Sequence, residues 1–250
     1  MSKQASWLGR DPVALENPQG RGRLMIVCDH ASNWVPPTLQ SLGLPPHELE
    51  RHIAWDPGAL AVAQNLARLV DAPLVHATVS RLVLDVNRDP GHAGSIVPVS
   101  EDTPIPGNVD LPPQERARRV RDIYEPYHRC LEQTIDTLAA RDPDLQLVSV
   151  HSFTPIYRGH RRPWHAGVLS NRDRRMAQPL LELLRAEPDL SVGDNEPYAP
   201  TDGVYHTLDR HCAARGLRSV LLELRADVIS DAGSQQRWAQ KLGQALQAIS

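Results

Sequence analysis

Short apolar runs alternate with longer amphipathic stretches along this chain. Leu24 to Val27, Pro73 to Thr78, Leu147 to Val150, Gly167 to Ser170 and Val220 to Leu224 are brief and mostly rich in β-branched residues, and they read as buried strands. Beginning at Asp56-Pro57-Gly58, residues Leu60, Val62, Ala63, Leu66, Leu69 and Val70 recur at helical spacing. A longer helix over 114–140 places Val120, Ile123, Tyr124, Tyr127, Leu131, Ile135 and Leu138 on one face, and Pro126 is expected to kink or split it. Further helices are expected over 176–184, over 206–215 with Gly216 as cap, and over 235–249. Residues 1–22 are polar and irregular and read as a surface arm. Residues 82–88 form another short apolar segment that ends in polar groups, and 91–113 and 194–198 read as loops. Strands alternating with helices imply a three-layer α/β sandwich around a largely parallel sheet.

That pattern matters because parallel strands deliver their C-terminal residues to one sheet edge, where open α/β sheets bind ligands. Here the deliveries are unusual. The first run leads into Cys28-Asp29-His30, another ends on His151, and the last carries Glu223 followed by Leu224-Arg225. Two histidines and a carboxylate arriving at one edge suggest a hydrolytic metal site, for which a catalytic zinc takes three protein ligands and leaves a position open. Asp56, Asn33 and Glu223 are all candidates for the third ligand. Asp56 is preferred, because a carboxylate on a rigid helix start binds zinc better than the amide of Asn33, although an Asp before Pro at a helix start is also an ordinary cap. Glu223 is more useful as a general base, since a carboxylate buried in mid-run is costly unless paired or functional. Its bland alternative is an ion pair with an arginine such as Arg225.

Asn87-Arg88 supplies an amide beside a guanidinium fork, a combination suited to a carboxylate and hence to an acidic substrate. Arg162 sits in a second basic group with Arg158 and Arg161, interleaved with Pro163, Trp164 and His165, and is the candidate for another anion contact. Asn33 and Arg225 complete the set of candidate substrate contacts. No Gly-rich phosphate loop, dinucleotide fingerprint or nucleophile elbow is present, and Cys28 within an apolar run reads as inert core.

Composition narrows the picture further. With 250 residues and 41% hydrophobic content, the chain can build a sizeable core, and a single domain over 1–250 is expected. The 27 basic and 30 acidic residues, net -3, give no global reason to bind nucleic acid or an anionic membrane. No apolar run approaches the roughly 18 residues of a membrane span, and the start lacks a signal-peptide core, so a cytoplasmic location is expected. Three widely spaced cysteines suggest reduced thiols, and the 22 prolines fall mainly outside the apolar runs.

Assembled in order, these residues are similar to the N-formylglutamate amidohydrolase family. The resemblance runs from about Leu24 to Asp231 and is carried by Asp29-His30-Ala31-Ser32-Asn33, Trp55-Asp56-Pro57-Gly58, Ser80-Arg81-Leu82 with Asp85-Val86-Asn87-Arg88, His151-Ser152-Phe153-Thr154-Pro155, Arg162-Pro163-Trp164-His165, Gly193-Asp194-Asn195-Glu196-Pro197-Tyr198 and Glu223-Leu224-Arg225. More remotely it resembles zinc carboxypeptidases and aspartoacylase-like deacylases, which implies a phosphorylase/hydrolase-like sandwich with a mixed, mostly parallel, eight-stranded sheet. By that resemblance His30 and His151 match the histidine ligands, Asn87-Arg88 the substrate-carboxylate pair and Glu223 the general base. Those relatives place a ligand glutamate three residues after the first histidine, where this chain has Asn33; Asp56 is the proposed replacement. The expected activity is zinc-dependent hydrolysis of N-formyl-L-glutamate, a step of histidine degradation. The alternatives are an amidase for another N-acyl amino acid or peptide, and a non-catalytic binder of an anionic metabolite.

Overall fold

The computed structural model describes residues 7–249. Its strands are β1 (Val13–Glu16), β2 (Leu24–Cys28), β3 (Leu74–Ala77), β4 (Val99–Ser100), β5 (Thr103–Pro104), β6 (Gln146–Phe153), β7 (Ile156–Tyr157), β8 (His160–Arg161), β9 (Ala166–Leu169), β10 (Val192–Asp194) and β11 (Arg218–Arg225). Its helices are α1 (Pro46–Leu49), α2 (Ala59–Leu69), α3 (Pro113–Arg119), α4 (Glu125–Arg141), α5 (Ala177–Arg185), α6 (His206–Cys212) and α7 (Ala232–Ala248). Seven strands form the main sheet in the order β1-β3-β2-β6-β11-β9-β10, one fewer among the described residues than the eight of the remote relatives. Strands β3, β2, β6 and β11 are mutually parallel; β1 and the β9-β10 pair run against them. The sheet is therefore mixed and mostly parallel, as the alternation of strands and helices predicts. Two small hairpins, β4-β5 and β7-β8, lie outside it.

The central strands read as continuous apolar runs because both of their faces are covered. On one face Ile26, Val148, Val150, Val220, Leu222 and Leu224 pack with α2, α5 and α7; on the other Met25, Val27, Leu147 and Leu221 pack with α4 and α6. Cys28 belongs to the first of these cores, and burial pushes its thiol well above the ordinary range. Leu222 is 1% exposed between two strands. Replacing it by Ala is expected to destabilise the protein by about 2–5 kcal/mol in urea unfolding, since the sheet cannot collapse into the gap. A loss below about 1 kcal/mol would contradict this packing.

Three local expectations are corrected. Val13–Glu16, expected within an irregular arm, forms the antiparallel edge strand β1; residues 1–6 of that arm lie outside the described residues. Four residues with a single polar member carry too little periodicity to announce a strand. The interruption expected at Pro126 takes an unexpected form: a π-helical turn, Val120–Tyr124, divides the stretch into α3 and α4 just before the proline, where Pro126 cannot donate its share of the backbone bonds. The segment 79–88 is a buried, irregular loop rather than a strand-like element. Ser80 donates to the Ala54 carbonyl, Arg119 donates to the Val83 and Gly107 carbonyls and to Asn108, and Asn108 donates to Leu82. A loop can be buried only when its backbone polar groups find such partners, and this one then holds Arg81, Asp85, Asn87 and Arg88 rigidly.

Candidate metal centre

The two-residue period of a strand decides what reaches the site. In the parallel register Val27 lies opposite Ser149, and Leu221 is also paired with Ser149. Two residues further along come Asp29, His151 and Glu223, of which the last two are register partners. All three side chains thus leave the sheet on the α4 and α6 side, at its C-terminal edge. His30 follows β2, and Asp56 precedes α2, its backbone N–H donating to the His30 carbonyl at 2.9 Å.

Asp56 is the meeting point. Its Oδ2 lies 3.3 Å from His30 Nδ1 and 2.8 Å from His151 Nδ1, and accepts from the Ser152 N–H at 3.2 Å. The opposite nitrogen of each ring is held by a different carboxylate: His30 Nε2 by Asp85 Oδ1 at 2.7 Å and His151 Nε2 by Asp29 Oδ2 at 3.0 Å. A carboxylate can only accept, so each outer Nε2 carries a proton, which leaves the inner Nδ1 beside Asp56 as the atom of each ring that a cation would engage once it displaced any proton there. Arg81 directs a guanidinium N–H at His30 Nδ1 from 3.2 Å and donates to Asp85 at 2.6 Å.

Charge completes the description. Burial works to raise Asp29, Asp56 and Asp85, but the two histidines, with Arg81 at Asp85, hold all three carboxyls well below their ordinary range. Conversely, burial lowers the proton affinity of His30 and His151, and the carboxylates more than reverse it. Three ionised carboxylates thus favour positive charge at the centre, supplied by Arg81 and by histidine protons that a cation could displace. One donor atom each from His30, Asp56 and His151 lies within 4.8 Å of the others, and among the described residues this is the one group of histidine, cysteine or acidic side chains so arranged. Two imidazoles and a carboxylate with oriented outer nitrogens fit a catalytic zinc.

The centre forms the floor of a cavity of about 320 Å³ that Glu223, Arg81, Arg88, Tyr198 and His52 also line. Glu223 is buried, its Oε2 has no hydrogen-bond partner, and burial pushes its pKa up to about 7. Arg88 donates Nη1 to the Asp202 carbonyl and lines the cavity; Gly203, in the left-handed region at φ 72°, leaves room for that nitrogen, which a Cβ there would meet at 2.5 Å and displace. Close approach also dictates Gly167, opposite Glu223, where a Cβ would stand 2.0 Å from the Glu196 carbonyl.

The structure thus brings His30, Asp56, His151, Glu223 and Arg88 together, and engages the remaining sequence candidates in other contacts. Asn33 donates to the Leu49 carbonyl and does not line the cavity. Asn87 reaches the cavity wall, but its amide is engaged by the Val204 carbonyl and the Thr207 N–H. Arg225 donates to Asp227 and to the carbonyls of Arg162, Pro163 and Trp164, fixing that loop. Arg162 is buried behind the wall, stacked 4.6 Å from the Tyr198 ring and 4.7 Å from Tyr157, which do face the cavity. Sequence reasoning missed Asp29 and Asp85 as orienting carboxylates, and missed Arg81. Strand parity carried the signal for Asp29; the two loop residues had none beyond their motif.

Behind the loop 79–88 lies a second histidine pair. His128 Nε2 donates to the Val86 carbonyl at 2.9 Å, so its Nδ1 accepts from His211 Nε2 at 2.8 Å. Protonating His128 would set two N–H groups against each other, and burial already depresses it from 6.5 to about 3, with His211 lowered to about 4. A native value below the unfolded one means stability that is full above pH 6.5 and lost as pH falls toward the native value. Relative to a His128→Gln variant, wild type should lose up to about 1.4 kcal/mol per pH unit over that window. Urea unfolding of both proteins at pH 7 and 4.5 checks this; an unchanged difference would contradict it.

Comparison with known proteins adds a family signal. The family model described as N-formylglutamate amidohydrolase matches residues 22–230. The solved structure of the gene product Atu2144 from Agrobacterium tumefaciens is 38% identical, with a TM-score of 0.94 over 96% of this chain and 95% of that one. The N-formylglutamate amidohydrolase from Ralstonia eutropha JMP134 shares the fold at 19% identity, with a TM-score of 0.68 over 96% of this chain and 97% of that one. No curated protein matches. Among the described residues, no helix is long and apolar enough to cross a membrane.

Proposed function

The chain belongs to the N-formylglutamate amidohydrolase family and is an amidohydrolase, and from that premise we propose that it hydrolyses N-formyl-L-glutamate to formate and L-glutamate with the help of a divalent metal, zinc by the donor chemistry. One observation carries the reading: His30, Asp56 and His151 offer two nitrogens and an oxygen within 4.8 Å at the base of a cavity that also presents an unpartnered Glu223 oxygen and the Arg88 guanidinium.

His30, Asp56 and His151 are the proposed metal ligands. Bound there, zinc would supply a Lewis acid for the formyl carbonyl and for the attacking water. Glu223 accepts a proton from the water as it adds to the formyl carbon, and passes it to the amide nitrogen as the C–N bond breaks. Its value near 7 suits both roles close to neutrality. Arg81, half-buried beside His30, is positioned to oppose negative charge growing on the formyl oxygen. Arg88 binds a carboxylate of the substrate, with Asn87 fixing the backbone from which it projects. The site is small, and the guanidinium groups of Arg81 and Arg88 among its lining favour an anionic amino acid over an extended chain.

Removing the guanidinium in Arg88→Ala is expected to raise KM about 10- to 100-fold with a smaller change in kcat, as loss of a charged hydrogen-bond pair would do. Arg88→Lys should recover only part of this, since an ammonium cannot form the fork. The activity itself is tested by assaying zinc-loaded protein for formate release from N-formyl-L-glutamate, alongside other N-formyl and N-acyl amino acids. Zinc-replete protein that cleaves none of them would replace this reading with that of an anion-binding protein.

A further inference from the structure

Traced outward from the proposed ligands, the hydrogen bonds form a closed ring. His30 Nε2 donates to Asp85 Oδ1, and the same oxygen accepts the Asn87 backbone N–H at 2.9 Å. The Asn87 Oδ1 accepts the Thr207 N–H at 2.9 Å, and the Thr207 hydroxyl donates to Asp29 Oδ1 at 2.7 Å. Asp29 holds His151, His151 meets Asp56, and Asp56 returns to His30. Neither Asn87 nor Thr207 is a proposed ligand, yet together they bridge the two outer carboxylates. Thr207 is 1% exposed, near the start of α6, and the preceding Val204 carbonyl accepts the other end of the Asn87 amide.

We propose that Thr207 is a positioning residue that fixes the two ligand imidazoles relative to each other and couples the Arg88 arm to the metal site. The inference rests on the reading of His30, Asp56 and His151 as ligands. The imidazoles stand edge to face with centroids 4.8 Å apart. Asp56 meets both rings at their inner nitrogens, and each outer nitrogen is steered by its own carboxylate, so the outer ends of the rings are fixed by how Asp85 is tied to Asp29. Direct bonds do not tie them. The tie is the Asn87-Thr207 link, which belongs to the loop carrying Arg88 on one side and to α6 on the other.

Tyr127 provides an internal control. Its hydroxyl donates to the same Asp29 oxygen at 2.9 Å but lies outside the ring. If Thr207 merely helps keep Asp29 ionised, losing either hydroxyl should have a similar effect. If it is the strut, only Thr207 should matter strongly.

Zinc affinity by chelator competition, with the melting temperature of the metal-free protein, distinguishes these. Thr207→Val is expected to weaken zinc binding at least about tenfold and Tyr127→Phe by less than about threefold. Thr207→Ser, which keeps the hydroxyl, should return to within about twofold of wild type. The metal-free melting temperatures of wild type and Thr207→Val should agree within a few degrees. Unchanged affinity in Thr207→Val, or equal losses in Thr207→Val and Tyr127→Phe, would overturn the proposal. Thr207→Ala serves if Thr207→Val does not fold; failure of both to fold would assign Thr207 to folding and overturn it as well. Wild-type protein that takes up no zinc would remove the ligand reading itself, a result separable from the others because it appears before any substitution is made.

Discussion

Replacing Glu223 by Gln is expected to lower kcat by about 10²- to 10⁴-fold while zinc affinity and KM stay close to wild type, the range that a positioned proton carrier contributes. The argument starts from cost. A carboxylate in the middle of an apolar strand, 5% exposed, pays a desolvation penalty unless it is paired, and its Oε2 has no partner. Arg225, the obvious candidate for an ion pair, is engaged instead by Asp227 and three backbone carbonyls. A structural role for Glu223 therefore has no contact to support it. Gln preserves shape and hydrogen-bonding capacity but cannot take a proton, so a folding or packing role would leave the variant active. Single-turnover formate release with zinc-loaded protein separates the cases: turnover at the wild-type rate would exclude Glu223 as the base, whereas a parallel loss of zinc would make it a ligand instead.

How much of this was legible in the sequence follows from the range of each signal. Strand runs and the residues at their ends are local, and a buried parallel strand has nowhere to send its last polar side chain except the sheet edge, so His30, His151 and Glu223 could be picked out by position alone. Asp56 was ambiguous for the opposite reason: Asp-Pro at a helix start has a local explanation that needs no site. Contacts between distant segments left no trace. Thr207 meets Asp29 across 178 residues, and nothing in the sequence around either one announces the other. Arg162 and Arg225 illustrate a different limit, since a guanidinium reads the same whether it faces a ligand, a ring or a carbonyl. The irregular loop 79–88 is the extreme case, because its shape is imposed by Ser80, Asn108 and Arg119 rather than by any period of its own.

The ambiguity at Asp56 makes its replacement by Asn a decisive test. Asn caps helices as well as Asp does, so if the carboxylate serves only the start of α2, Asp56→Asn should be silent. The geometry argues against that role. The cap position of α2 is Gly58, in the left-handed region at φ 81°, and the Asp56 side chain accepts no N–H from the helix. Its Oδ2 instead gathers His30, His151 and the Ser152 N–H. An amide at that point keeps the size and loses the charge, and a neutral amide oxygen is a poor zinc ligand beside two imidazoles. Asp56→Asn is therefore expected to weaken zinc binding by at least about 10²-fold, beyond the 10- to 100-fold typical of groups that only orient a ligand, and to remove most of the hydrolytic activity. The fold should survive, because the backbone bond from Asp56 N–H to the His30 carbonyl does not depend on the side chain. Chelator competition on folded variant protein measures the first quantity directly. An affinity within a few-fold of wild type would return Asp56 to the helix and leave the two histidines in need of another partner.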